Sequence, residues 1–131
     1  MSHFLAIKTQ IKDLTALRKA AEECGCVLAG NGTGVIVRGY NGRNIVSPIA
    51  IKTPPACPYD IAVTKEKDGT YSLSTDWWLG HVEKHVGKDY GKLMQLYGVN
   101  KATLAARAKG YMVARQPQKN GAIKLVVTGA F

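Results

Sequence analysis

Acidic side chains are scarce in this chain. Nine Asp and Glu stand against 18 Lys and Arg, a formal charge of +9 with a pI near 9.6. So few carboxylates, spread along the chain, give little support to the paired acids of a hydrolase. The excess of positive charge points instead to anionic partners: RNA, single-stranded DNA or an acidic protein surface. Long apolar runs are also missing. The start, "MSHFLAIKTQIKD", is interrupted by Lys8 and Lys12, which argues against a signal peptide. The second residue, Ser2, is not the glycine that myristoylation needs. No stretch approaches the roughly 20 apolar residues of a membrane span, so no membrane partner is expected. Three cysteines, an odd number, argue against a disulfide framework and for a reducing, cytoplasmic compartment.

What is present is an ordinary globular composition, 46% hydrophobic and 21% charged, in 131 residues, the size of one domain. Leu5, Ile7 and Ile11 alternate with Lys8, the pattern of a half-buried strand. Asp13 is placed to cap a helix whose apolar stripe is Leu14, Leu17, Ala21 and Cys24, with Gly25 as its stop. A short strand is expected over 26–29. "GNGTG" reads as a turn, because the strand-like "VIVRGY" rather than a helix follows it, which excludes a phosphate loop. "VIVRGY" and "NIVSPIAIK" read as strands joined around Asn41-Gly42. "YDIAVTKEKDGTYSLS" reads as a hairpin turning at Asp68-Gly69, and the final "YMVARQPQKNGAIKLVVTGAF" as another turning at Asn120-Gly121. A helical region is expected from about Val82 to Lys109, with breaks at Gly87, Gly91 or Gly98. The pattern predicts one α+β domain spanning 1–131, a mainly antiparallel sheet with helices on one face. Leu5, Ile7, Leu17, Val37, Ile61, Leu73, Leu104, Ile123 and Leu125 are expected in a single core.

"MSHF", "IKTQIKDLTAL", "VRGYNG", "YDIAV", "TYSLSTD", "YGV" and "GYMVARQPQKNGAIKLVV" occur in that order along the chain. In this the chain resembles a family of conserved hypothetical reading frames of plastids and cyanobacteria, with bacterial and phage relatives. The likeness is collinear over nearly the whole chain. The segment from Gly80 to Gly91 and the "TPPACP" loop depart from it. The resemblance implies a domain of unknown function in a cytoplasmic or stromal setting, or in the host cytoplasm if the source is a phage.

The segment "TDWWLGHVEKHVGKDYGK" holds both tryptophans, two of the three histidines and lysines at four-residue intervals. His81 and His85 would share one side of a helix, a spacing used by metal ligands. Glu83, two residues after His81, would point about 200° away and could not act as their general base. A metal-assisted enzyme using His81 and His85 is therefore a secondary expectation, and no catalytic constellation or cofactor motif is recognised. Lys84, Lys88 and Lys92 would form one basic stripe on a continuous helix. Arg38 and Arg43 flank Tyr40 at the turn of the first hairpin, a mixture of cations and aromatic that suits single-stranded nucleic acid. Adjacent Trp77 and Trp78 point to opposite faces in extended chain. Either one closes the core and the other is a surface anchor for a protein partner, or both are buried against the final hairpin. Cys57, among prolines, is expected at the surface and reactive. Asn100 is either a polar member of the buried helix stripe or the N-cap of a separate helix starting at Lys101, the more economical reading. The residues give two expectations of function. One is a small basic module binding RNA or single-stranded DNA. The other is an adaptor or inhibitor binding an acidic protein.

Overall fold

A computed structural model describes residues 4–30 and 33–129. Strands β1 (Leu5–Lys8), β2 (Val27–Ala29), β5 (Ile49–Lys52), β6 (Ile61–Lys65) and β7 (Tyr71–Thr75) form an antiparallel sheet in the order β1-β7-β6-β5-β2. Two further ribbons stand apart from it: β3 (Val35–Val37) with β4 (Ile45–Ser47), and β8 (Met112–Pro117) with β9 (Ile123–Thr128). The helices are α1 (Leu14–Glu23), the single turn α2 (Glu83–Val86) and α3 (Gly91–Ala108). The fold is α+β.

Period-two alternation assigns the two faces of the sheet. In β5 and β6, Ile51, Ile61 and Val63 point toward α1 and α3, while Ala50 and Ala62 point the other way. The helical side carries the main core, which includes Ile11, Leu17, Leu73, Tyr90 and Leu93. On the opposite side the paired alanines leave room for the β3–β4 ribbon, which packs Val37 and Val35 there together with Phe4. Val37 therefore belongs to a second, smaller cluster rather than to the core under the helices.

Helix α1 begins where Asp13 accepts hydrogen bonds from the amides of Thr15 and Ala16, at 2.9 and 3.1 Å, and ends at Cys24 before left-handed Gly25. Tyr97 on α3 reaches the same corner. Its hydroxyl accepts from the amides of Lys12 and Asp13, which fixes the two helices against each other.

Several expectations change. "NIVSPIAIK" is not one strand: Pro48, with no amide hydrogen to donate, separates β4 from β5, and the halves join different sheets. Helix α3 runs unbroken through Gly98, and Asn100 is not a cap. It is buried in the helix, donating to the carbonyl of Leu96 and to Oε2 of Glu23. The final hairpin lies against α3 instead of extending the sheet, so Leu104 and Ile123 are only partly buried and Leu125 lies outside the main cluster. The side chains of Leu5 and Ile7, and residues Asn31 and Gly32 of the glycine-rich turn, lie outside the described residues.

Candidate functional site

The turn after β3 is held by a buried charge. Asp60, fully buried at the start of β6, accepts from Nε and Nη2 of Arg38 at 2.8 Å each, and from the Arg38 amide at 3.0 Å. Thr53 donates its amide and Lys52 its Nζ to the same carboxylate. Burial alone would raise the pKa of Asp60, but Arg38, Lys52 and the two amides overcome it and hold the carboxyl well below the usual range. Two cations on one anion leave this cluster with one net positive charge. Arg38 is thus a clamp between the β3–β4 ribbon and the sheet, with its side chain about 30% exposed.

Tyr40 follows in a single 3-10 turn, Tyr40–Gly42, entered through buried Gly39. A Cβ at Gly39 would lie 2.6 Å from the carbonyl oxygen of Arg43 and 2.7 Å from the ring of Phe4, so no larger residue fits there. Tyr40 is exposed, and its ring meets Trp78 edge-to-face with centroids 6.2 Å apart. Arg43 closes the turn and is exposed.

Trp78 lies just beyond β7, whose last residue, Thr75, sits beside the start of β6 in the adjacent antiparallel strand. Its neighbour Trp77 faces inward, packing on the main core and against Tyr90 with centroids 4.7 Å apart. Trp78 is 42% exposed and Leu79, in the left-handed region at φ 56°, is 69% exposed. The left-handed conformation is unfavourable for leucine by about 1–2 kcal/mol. Asp76 positions this corner. Its Oδ1 accepts from the Trp78 amide at 2.9 Å, while its buried Oδ2, Nε1 of Trp77 and the hydroxyl of Tyr90 have no hydrogen-bond partner among the described residues. Burial pushes the Tyr90 phenol up from its ordinary pKa.

The remaining candidates are arranged differently from expectation. Lys84, Lys88 and Lys92 do not form a stripe on one helix, because α2 ends at Gly87 (φ 81°, ψ 168°) and a 3-10 turn, Lys88–Tyr90, precedes α3. All three lysines are exposed and none has an ion pair among the described residues. His81 and His85 are half-buried, His81 against the ring of Tyr59 at 5.7 Å. No group of three or more His, Cys, Asp or Glu stands together among the described residues, so the pair has no third ligand there. Cys57 is buried, contrary to its expected exposure. Its thiol donates to the carbonyls of Tyr59 and His81 at 3.4 and 3.5 Å.

This exposed corner and its buried clamp lie within the part of the chain that identifies its kinship. The chain belongs to the family described as "Protein of unknown function (DUF1257)", which matches residues 22–126. No curated protein and no solved structure matches it. Tyr40, Arg43 and the 76–91 corner are all inside the family's matched span. Among the described residues no helix is long and apolar enough to cross a membrane.

Sequence reasoning singled out Tyr40, Arg43 and Trp78, which the fold brings to one corner. It missed Asp60 and Asp76. A signal for both was present: each is an aspartate at the edge of an apolar strand pattern, "YDIAV" and "LSTDWW", where a buried carboxylate requires partners.

Proposed function

We propose that this domain is a non-enzymatic binding module that takes single-stranded nucleic acid, RNA or DNA, across the Tyr40–Trp78 corner. The observation that carries the reading is the exposed edge-to-face pair, assembled from segments 38 positions apart in the chain. An aromatic pair left in solvent offers stacking surface to bases, worth roughly 1–3 kcal/mol per base. Phosphates would be met by Arg43, by the net positive charge of the Arg38–Asp60–Lys52 cluster, and by the exposed ammonium groups of Lys84, Lys88 and Lys92. The likeness to plastid and cyanobacterial reading frames supports a cytoplasmic or stromal setting for such a module, or a host cytoplasm if it is phage-borne.

A second reading has its own support. Leu79, apolar and exposed beside Trp78, is an unusual neighbour for a phosphate chain and a natural one for a protein. In that reading the corner anchors an acidic protein, as an adaptor or inhibitor.

Titration of tryptophan fluorescence with homopolymeric RNA and single-stranded DNA, beside a pull-down from extract, separates the two. Under the first reading, oligonucleotide quenches the signal and Trp78→Ala weakens binding about five- to 150-fold, as loss of one stacked base requires. The salt dependence should have a log–log slope of roughly −0.7 per phosphate contact, and Lys84→Gln/Lys88→Gln/Lys92→Gln should flatten it by about two. Absence of nucleic-acid binding below the micromolar range, with one protein retained through Trp78 and Leu79, replaces it with the adaptor reading.

A further inference from the structure

Away from the aromatic corner, a cavity of about 160 Å³ opens where α1, α3 and β8 meet. Lys19 from α1, Arg107 from α3 and Arg115 from β8 converge on it, with Asn100 and Thr103 among its walls. Three cations brought to one hollow repel one another unless something negative stands between them. Among the described residues, the carboxylate in contact with this group is Glu23, which Arg115 grips through both Nη1 and Nη2. Buried Asn100 donates to Oε2 of the same Glu23 at 2.6 Å and directs its amide also to the Leu96 carbonyl. Glu23 is therefore fixed in place and Arg115 anchored, with two of the guanidinium's five N–H donors committed to the carboxylate. Lys19 and Arg107 are exposed and have no ion pair among the described residues.

We propose that this cavity binds the phosphate group of a phosphomonoester. Three positive charges against one negative leave two, which matches the −1.5 to −2 that such a group carries near pH 7. Guanidinium forks from two sides suit the tetrahedral array of acceptor oxygens, and the ammonium of Lys19 supplies a third direction. The volume suits a head group. It is below the roughly 300–1,000 Å³ of pockets that enclose a whole drug-sized ligand, so the rest of the molecule would project into solvent. A small metabolite and the phosphorylated 5′ end of a nucleic acid share this chemistry. The cavity does not depend on the Tyr40–Trp78 corner for its residues.

The test is an isothermal or NMR titration of the full chain with inorganic phosphate, a nucleoside monophosphate, and one oligonucleotide with and without a 5′ phosphate. Saturable binding of the monoesters in the millimolar range or tighter is expected. It should weaken at least about tenfold in Lys19→Gln/Arg107→Gln, whose positions are exposed and whose loss leaves the fold intact. Lys65→Gln/Lys67→Gln removes the same charge at the β6–β7 turn and should leave the affinity unchanged. Trp78→Ala should leave it unchanged too, so a failed nucleic-acid corner and a failed phosphate cavity give different results. Preference for the 5′-phosphorylated oligonucleotide over both its unphosphorylated form and the mononucleotide assigns the source as a nucleic-acid end, and the reverse preference assigns a metabolite. Lack of saturation, or equal weakening in the two double variants, overturns the proposal.

Discussion

Arg38 and Asp60 hold each other by main chain as well as side chain. The Arg38 amide donates to the Asp60 carboxylate at 3.0 Å, and the Asp60 amide donates back to the Arg38 carbonyl at 3.1 Å. With the guanidinium fork added, the start of the first ribbon's turn and the start of β6 become one unit, and Thr75 joins it by donating to the Asp60 carbonyl at 2.8 Å. Both parts of the aromatic corner hang from this unit: Tyr40 is two residues beyond Arg38, and Trp78 three beyond Thr75.

Replacing Asp60 with Asn should therefore destabilise the domain by about 3–5 kcal/mol, since Arg38 and Lys52 would lose their anion in a partly buried place. Urea unfolding measures this. A loss below about 1 kcal/mol would mean that the cluster contributes little beyond packing.

Acid should act on the same carboxylate. Asp60 sits below its ordinary pKa of 3.8, and Glu23, through its hydrogen bonds from Arg115, below 4.5. Below those ordinary values the unfolded chain binds protons that the folded one refuses. The stabilisation is present above about pH 4.5 and is lost as pH falls through about 4 and below. Unfolding midpoints taken at pH 6, 4 and 3 should drop over both steps, and an unchanged midpoint at pH 3 would contradict it.

The thiols should be silent in the native state. Cys24, Cys26 and Cys57 are all buried, and burial pushes the Cys26 thiol up to about 12. A thiolate is the reactive species, so an aromatic disulfide reagent should modify none quickly in buffer and all three in denaturant. Rapid native labelling of Cys57 would show the 53–58 loop opening.

Two glycines should respond oppositely to alanine. Gly98 lies mid-helix in α3, and a methyl group placed there would meet nothing within 4 Å, so Gly98→Ala should stabilise by about 0.5–1 kcal/mol. Gly87 is left-handed and a Cβ there would lie 2.7 Å from the Lys92 nitrogen, so Gly87→Ala should destabilise by about 1–3 kcal/mol. Thermal midpoints of the two variants provide the comparison.

Much of the fold was legible where local chemistry decides. Asp13 and Gly25 bound a helix because capping is settled within one turn, and the Asn41-Gly42, Asp68-Gly69 and Asn120-Gly121 turns mark their hairpins because glycine tolerates the required backbone. The inward Trp77 and outward Trp78 are one of the two readings that their adjacency allowed. What could not be read depends on contacts made at a distance. Alternation assigns Val37 to one side of its strand, but not to the ribbon side of a sheet formed by other strands. Asn100 looks like a cap until Glu23, 77 positions away, supplies its partner. Lys84, Lys88 and Lys92 do not share one helix because Gly87, one of the breaks expected, is left-handed rather than helical, and Cys57 is buried with its thiol donating to the distant carbonyl of His81.

The bend at Pro48 bears on which changes in length the chain can tolerate. One added residue between Ser47 and Ile49 would slide β4 against β3, or β5 against both β2 and β6. The second slip would turn Ile49 and Ile51 away from the helices. At the Asp68-Gly69 and Asn120-Gly121 turns the same addition lengthens an exposed tip without moving a strand register, although at the second it disturbs the 2.8 Å hydrogen bond from Gln95 to the Gly121 carbonyl. Insertions and deletions accumulating in this lineage should therefore collect at those two tips and spare the run from 45 to 52.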